Sequence, residues 1–257
     1  MRTDVRRAGA KRHRRELPRV RLASGGTKAL LARAPGHGRK ARRFQRVGTA
    51  GRRWLLRWRL PRSHPLSRIP ELAARLAARS PTEATEPDRP KAAVAVILAP
   101  DPDSVLLIRR AEREDDRWSG QLAFPGGRWS AGDAYLVATA RRETREEVAV
   151  DLADAPVIGV LDDLAPRTPH LPPILVRPFV FTLPASVPLR PNAEVSGAWW
   201  MPFDTFLAPG TYRAMEYQRY GTILQGTGYY LEPGVLWGMT ERILTPLLEL
   251  LKQAPPP

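Results

Sequence analysis

Cysteine is absent from this chain of 257 residues. Its absence excludes disulfide bonds, thiolate metal centres and a cysteine nucleophile. Only four histidines occur, scattered along the sequence, and this argues against a zinc hydrolase, whose metal needs clustered ligands. Long apolar runs are also missing: no stretch comes near the ~18 uninterrupted apolar residues of a membrane-spanning helix. We therefore predict no transmembrane segment.

Acidic residues are nearly missing from the first part of the chain. Residues 1–62 hold 21 Lys and Arg against Asp4 and Glu16, whereas the remainder holds 20 basic against 24 acidic residues. High charge with few large apolar residues predicts a basic, disordered extension over residues 1–62. Three alternatives stay open: binding of nucleic acid or an anionic surface through this tail, a mitochondrial transit peptide, and residues upstream of the true translation start.

The rest of the chain has the pattern of one α/β domain preceded by a short helix and a linker over residues 63–90. Ile69, Leu72 and Leu76 recur on one side of a helix predicted over residues 67–80. Apolar runs then alternate with turn residues, and the catalytic domain is predicted over residues 91–252. The predicted strands are residues 92–99, 105–109, 157–161, 174–183 and 198–201. An apolar stripe from Ile243 to Leu251 predicts a C-terminal helix, kinked at Pro246.

The most informative stretch runs from Phe124-Pro-Gly-Gly127 through Asp133 to a helix that carries Arg142, Glu143, Glu146 and Glu147. The three glutamates are spaced i, i+3 and i+4 and share one face, at the margin of an apolar stripe predicted to be buried. That apolar stripe consists of Val137, Ala140, Thr144 and Val148.

Three negative charges near the end of a helix repel one another and face the negative end of the helix dipole. A bound divalent cation would reverse this effect, and Mg²⁺ and Mn²⁺ prefer carboxylate oxygens. The alternative is a solvated, charged helix face.

Together, the glycine loop and this helix resemble the Nudix hydrolase signature: glycine, five residues, Glu, seven residues and Arg-Glu-x-x-Glu-Glu-x-Gly. Asp133 replaces the usual Glu, eight residues precede Arg142, and Ala149 replaces the closing glycine. The extra residue, the Phe-Pro-Gly-Gly lead-in and Trp237-Gly-x-Thr240 resemble the coenzyme A pyrophosphatase-like branch. The spacer from Arg117 to Gly120 is two residues, where that branch is expected to have three.

The resemblance implies a Nudix-type α/β/α sandwich with a mixed sheet and Mg²⁺ or Mn²⁺ as cofactor. It further implies hydrolysis of a diphosphate bond in a nucleoside diphosphate derivative, with coenzyme A or acyl-coenzyme A favoured. The alternatives are hydrolysis of another nucleotide, such as ADP-ribose or a dinucleotide, and a degenerate domain that binds a nucleotide without cleaving it.

The resemblance also assigns roles to individual residues. The metal ligands it implies are the carbonyl of Gly127 and the carboxylates of Glu143, Glu146 and Glu147. Glu143 would ligate the metal or act as base, and Arg142 would orient the carboxylates. Glu194, in an Asn-x-Glu-Val segment, is a candidate for further metal ligation or for the general base.

Substrate phosphates are expected to meet guanidinium groups, which match phosphate geometry. The candidates are Arg109, Arg110, Arg113 and Arg117, and the alternative is a solvated loop paired with acidic neighbours. His170 could reach a substrate, although a lone loop histidine is more often without a catalytic role. The expected partner is a small nucleotide diphosphate and the expected location the cytoplasm; nucleic acid would bind only through the basic tail, and a homodimer is left open.

Overall fold

The structure is a computed structural model of the chain. It describes residues 67–252 except residues 87, 115, 167–172 and 220–221. The predicted basic extension and His170 lie outside the described residues. No helix in the described part is long and apolar enough to cross a bilayer.

A seven-stranded mixed sheet forms the centre of the fold. Its strands are β1 (Lys91–Ala99), β2 (Ser104–Arg110), β3 (Leu122–Ala123), β4 (Gly126–Arg128), β5 (Val157–Val160), β6 (Leu175–Thr182) and β7 (Val195–Pro202). β1 runs parallel to β6 on one side, while its other edge pairs antiparallel with β4 at one end and with β2 at the other. β7 pairs with β2, and β5 with β6.

Helices cover both faces of this sheet, so the buried strands read as continuous apolar runs. Along β1, Ala95 and Ile97 face the side that α2 (Leu136–Val148) covers. Val96 and Leu98 face the opposite side, which α1 (Ile69–Ala77) and α4 (Met239–Lys252) cover. The short helix α3 is Phe203–Leu207. The predicted α/β/α sandwich with a mixed sheet is confirmed.

The helix α1 belongs to the main hydrophobic core. Ile69, Leu72 and Leu76 are buried in the same cluster as residues of β1 and α4. The segment after α1 is also attached to the domain by a main-chain hydrogen bond, because the Asp163 amide donates to the Thr82 carbonyl at 3.0 Å. The core therefore begins at α1, while the predicted start of the catalytic domain at Lys91 stays a prediction.

A second, three-stranded antiparallel sheet follows α3 and was not predicted. It consists of β8 (Tyr212–Arg219), β9 (Thr222–Leu231) and β10 (Gly234–Trp237). One end of this sheet belongs to the main core, where Leu236 is fully buried. The other end is open to solvent, and Ile223 on β9 is 66% exposed. After it, α4 contains Pro246; the kink there stays a prediction. The Thr240 hydroxyl donates to the Leu122 carbonyl at 3.1 Å, which ties the start of α4 to β3.

Candidate active site

The glycine loop before α2 is fixed tightly against β1 and α2. The Ala95 amide donates to the Pro125 carbonyl at 2.8 Å. Gly126 has a φ of +155°, and a Cβ there would lie 2.3 Å from the Ala93 carbonyl oxygen. A Cβ on Gly127 would lie 2.3 Å from a carboxylate oxygen of Glu143. The backbone conformation of Gly126 and its contact with the main chain of β1 require glycine. A Cβ on Gly127 would instead require the Glu143 carboxylate to shift, so the Gly127 backbone lies directly against a glutamate of α2.

Glu147 is the most deeply placed acidic residue of the helix. Its side chain is 2% exposed, on the same face as Ala140, Thr144 and Val148. The Gly126 amide donates to its Oε2 at 2.9 Å. Burial raises the pKa of Glu147 to about 7, and the charge of Glu143 acts in the same direction. The prediction that all three glutamates lie at the margin of the buried stripe is therefore wrong for Glu147, because neighbouring segments cover it.

The other two glutamates are held by a guanidinium. Arg142 Nη1 donates to Glu143 Oε1 at 2.9 Å and to Glu146 Oε2 at 3.1 Å. Burial raises the pKa of Glu143; the contact with Arg142 opposes this shift, and the charges of Glu146 and Glu194 add to it. Glu146 is exposed. The three carboxylates thus run from the interior to solvent along one helix.

Asp133 holds Arg142 in place. Arg142 Nε and Nη2 each donate to one Asp133 oxygen at 3.0 Å. Thr139 Oγ1 donates to the same carboxylate at 2.9 Å, and the Ser130 amide also donates to it at 3.2 Å. These donors, Arg142 first, hold the pKa of Asp133 well below its usual range. Asp133 receives no role in the sequence analysis, although its place in the motif, where Glu is usual, is the signal that marks it as a site residue.

The C-terminal end of α2 receives a second segment of the chain. Ala149 adopts a left-handed conformation with a φ of 58° and donates its amide to the Arg145 carbonyl. The Asn192 amide donates to the Glu147 carbonyl at 2.9 Å, and the Glu194 amide donates to Asn192 Oδ1 at 2.8 Å. The segment that carries Glu194 is thereby attached to the helix of glutamates.

Glu194 lies near the glutamates of α2. Burial is the main cause of the raised pKa of Glu143 and of Glu147, and the charge of Glu194 adds to it at both residues. Its carboxylate, half-exposed, forms an ion pair with Arg113 Nη1 at 3.4 Å. The fold thus brings this predicted residue to the site, while its role as base stays a prediction.

The four predicted phosphate-binding arginines do not all share one place. Arg110 lies on the α2 side, where its charge partly opposes the burial that raises the pKa of Glu147, and its Nη2 contacts Asp116 at 2.7 Å. Arg109 lies on the opposite face of β2, stacked over the Trp199 ring at 6.0 Å. Successive side chains of a strand point to opposite faces, so this separation was predictable. Arg113 pairs with Glu194, and Arg117 lines a cavity beside it.

A divalent cation fits the chemistry of these donors. Among the residues described, no three acidic or histidine side chains already stand close enough to form a metal site. Carboxylate oxygens are nevertheless the ligands that Mg²⁺ and Mn²⁺ prefer. The raised pKa values of Glu143 and Glu147 show that ionising these buried carboxylates costs free energy when no cation is bound beside them. The donor set therefore suits a cation that draws the glutamates together.

Comparisons with known proteins point to one family. A family model described as NUDIX domain matches residues 89–219. Uncharacterized protein C14C4.10c of Schizosaccharomyces pombe is 43% identical over 110 residues, which cover 41% of this chain and 33% of that protein. The uncharacterized Nudix hydrolase NudL of Salmonella newport is 34% identical over 158 residues, which cover 61% of this chain and 80% of NudL.

Solved structures give a weaker likeness. A MutT/nudix family protein from Enterococcus faecalis has a TM-score of 0.39 and 16% identity, with 67% of this chain and 62% of that chain covered. The NUDIX domain of Shewanella oneidensis NrtR, complexed with ADP ribose, has a TM-score of 0.39 and 20% identity. The match covers 52% of this chain and 85% of that chain. Both scores are too low to support an assignment by themselves.

Proposed function

The chain belongs to the NUDIX domain family and is a Nudix pyrophosphohydrolase, and we propose that it cleaves a diphosphate bond in a nucleoside diphosphate derivative, with coenzyme A or acyl-coenzyme A as the leading substrate. The observation that carries the proposal is the close approach of the Gly127 backbone to the Glu143 carboxylate, on a helix that also carries Glu146 and Glu147.

Mg²⁺ or Mn²⁺ is the proposed cofactor, held by the carbonyl of Gly127 and by Glu143, Glu146 and Glu147. Such an ion, when bound, supplies positive charge that polarises phosphoryl oxygens and acidifies water. The choice between the two ions, and the role of each ligand, are part of the proposal.

The chain's own residues position the reacting groups. Arg142, anchored on Asp133, keeps the carboxylates of Glu143 and Glu146 in one arrangement. In the proposed reaction a water oxygen attacks one phosphorus atom, and the bond from that phosphorus to the bridging oxygen breaks. The water proton passes to a carboxylate, for which Glu143 and Glu194 are the candidates.

Arginines on the α2 side of the sheet are the proposed phosphate ligands. Arg110, Arg113 and Arg117 lie beside the glutamates or the adjoining cavity. Arg109 lies on the other face, so a direct contact between Arg109 and the diphosphate would need a different approach of the substrate.

Two features favour hydrolysis over a degenerate binding domain. Asp133, although shorter than Glu, still forms a bidentate contact with Arg142. Ala149, in place of the motif's glycine, still takes the left-handed conformation that ends the helix. Hydrolysis of ADP-ribose or a dinucleotide stays the main alternative to coenzyme A.

The metal-dependent mechanism is tested by replacing single glutamates. We expect Glu146→Gln and Glu147→Gln each to lower kcat by orders of magnitude, because a lost ligand weakens stabilisation of the transition-state charge. Glu249→Gln, at an exposed position on α4, is the matched control and should leave kcat unchanged. Wild-type turnover that persists in EDTA, or a Glu146→Gln protein with an undiminished rate, would contradict the mechanism.

The substrate is tested with a panel of coenzyme A, acyl-coenzyme A, ADP-ribose, NADH, diadenosine polyphosphates and nucleoside triphosphates, with products separated by chromatography. Coenzyme A should yield 4′-phosphopantetheine and 3′,5′-ADP. Cleavage of ADP-ribose or a dinucleotide with coenzyme A intact would remove the coenzyme A proposal and keep the Nudix chemistry.

The cytoplasm remains the proposed location. A homodimer and binding of nucleic acid through the basic tail stay predictions.

A further inference from the structure

A cavity opens beside the glutamates of α2. Its volume is about 520 Å³, within the range of pockets that hold small organic ligands. Its lining residues are Arg113, Glu114, Asp116, Arg117, Trp118 and Arg128. Most of them lie on the loop between β2 and β3, and Arg128 lies at the end of β4.

The cavity adjoins the candidate active site on two sides. Arg128 directly follows Gly127, whose backbone lies against Glu143, and the Arg128 carbonyl accepts a hydrogen bond from Arg142 Nη2 at 3.3 Å. On the other side, Arg113 contacts Glu194 at 3.4 Å. A substrate whose diphosphate lies over the glutamates can therefore extend one end into the cavity.

The cavity presents positive charge. Asp116 is already paired, because Arg110 Nε donates to its Oδ2 at 2.8 Å. Arg113 is paired as well, with Glu194, which leaves Arg117 and Arg128 against the single carboxylate of Glu114 in the lining. The Arg128 side chain is exposed and has no ion-pair partner within the described ranges. It is thus available to a ligand.

Trp118, one of the lining residues, lies on a hydrogen-bonded turn. The Trp118 amide donates to Asp116 Oδ1 at 3.0 Å, and the Gln121 amide donates to the Trp118 carbonyl at 3.2 Å. Both hydrogen bonds hold the backbone of Trp118, so its position depends on the same Asp116 that binds Arg110. An indole lining a basic cavity offers a flat face to an aromatic ring, and every nucleobase has such a face.

We infer that this cavity is the subsite for the nucleoside end of the substrate, where Trp118 stacks on the base and Arg128 binds a phosphomonoester carried by the nucleoside. The inference rests on the proposed function and adds two specificity-determining residues to it. A guanidinium fork forms two parallel hydrogen bonds with a phosphate, which an uncharged hydroxyl cannot replace.

Calorimetric binding of 3′,5′-ADP and 5′-AMP to the full chain tests the subsite without requiring turnover. We expect Arg128→Ala to weaken the binding of 3′,5′-ADP by about ten-fold or more and the binding of 5′-AMP by less than about three-fold. The reason is that only 3′,5′-ADP carries the added phosphate. Arg242→Ala, at an exposed position on α4, is the matched control and should change neither affinity.

The indole is tested with a pair of variants. Trp118→Leu should weaken the binding of both nucleotides by about ten-fold. Trp118→Phe keeps an aromatic face, so its affinities should stay within about three-fold of those of wild type. Thermal melting of each variant separates loss of stacking from loss of the fold. Equal affinities for Trp118→Leu and wild type, or equal losses for both nucleotides in Arg128→Ala, would overturn the assignment, as would absence of binding to wild type.

Turnover of the substrate panel, measured in parallel, separates this inference from the proposed function. If the variants show the expected binding pattern while wild type cleaves no diphosphate, the proposed function fails and the subsite stands. If wild type cleaves coenzyme A, and Arg128→Ala and Trp118→Leu both show the wild-type KM for coenzyme A, the subsite assignment fails and the proposed function stands.

Discussion

Ala149 ends α2 in a conformation that favours glycine. Its φ is 58°, and a left-handed backbone costs a residue with a Cβ roughly 1–2 kcal/mol. Its side chain is exposed, so little packing would be lost on replacement. We predict that Ala149→Gly raises the free energy of unfolding by about 1 kcal/mol, measured by urea denaturation.

A matched control for this substitution lies four residues further on. Ala153 is also exposed, and it is not among the described residues with positive φ. Ala153→Gly should destabilise the protein by about 0.5–1 kcal/mol, because it only adds freedom to the unfolded chain. The same sign for both substitutions would disprove the explanation.

Glu147 should make the stability of the metal-free protein depend on pH. Its pKa is raised from 4.5 to about 7 by burial, so the folded state binds this proton more tightly than the unfolded state. The resulting stabilisation is complete below the unfolded pKa and is lost as pH rises through the folded pKa, a change of about 3 kcal/mol.

Glu147→Gln isolates this effect, since glutamine does not titrate. In EDTA, the free energy of unfolding of wild type relative to Glu147→Gln should fall as pH rises from about 4.5 to 8. Parallel stability curves for the two proteins over that interval would exclude a buried, titrating Glu147.

The site residues were predictable as a set, but not their individual environments. Spacing along a helix places Glu143, Glu146 and Glu147 on one face whatever surrounds them. Which of them is buried depends on segments distant in sequence: the Gly126 amide donates to the Glu147 carboxylate, and the Asn192 amide donates to the Glu147 carbonyl. No periodicity within the helix carries that information.

At the scale of elements, α1 should contribute strongly to stability although it precedes the predicted catalytic domain. Leu72 is 1% exposed within the main core. Leu72→Ala should therefore cost about 2–5 kcal/mol of unfolding free energy, and a chain that begins at Lys91 should lose more. Ala74→Gln, exposed on the same helix, is the control and should stay within about 0.5 kcal/mol of wild type. A chain beginning at Lys91 that unfolds at the wild-type temperature would show α1 to be dispensable.

Elements with continuous apolar runs were predicted well, and elements defined by pairing alone were not. The strands β1, β2 and β6 lie within about one residue of their predicted bounds, because burial on both faces leaves a clear apolar signal. The bounds of β5 agree equally well, although Val157 at its start is exposed. In β9 the first residues are mostly exposed, so no alternation or apolar run marks them. Only their hydrogen bonds to β8 define the strand.

At the scale of the whole molecule, positive charge is separated from the catalytic chemistry along the chain. Residues 1–62 carry 21 basic residues, whereas the remainder holds 20 basic and 24 acidic residues. We predict that a chain beginning at Ser63, which keeps α1, retains the turnover of the full chain on small nucleotides. Any affinity of the full chain for DNA or RNA should fall steeply with salt and disappear on truncation. Loss of turnover on truncation would show that the extension belongs to the active domain.

The close fit of the glycine loop constrains how this enzyme could diverge. A Cβ on Gly126 would overlap the main chain of β1, and one on Gly127 would displace the Glu143 carboxylate, so substitutions at these positions would disturb the fold or the arrangement of the glutamates. The cavity side chains Trp118 and Arg128 meet no such restriction, since they border open space. Gene duplicates could therefore acquire new substrates through the cavity while inheriting the hydrolytic reaction unchanged.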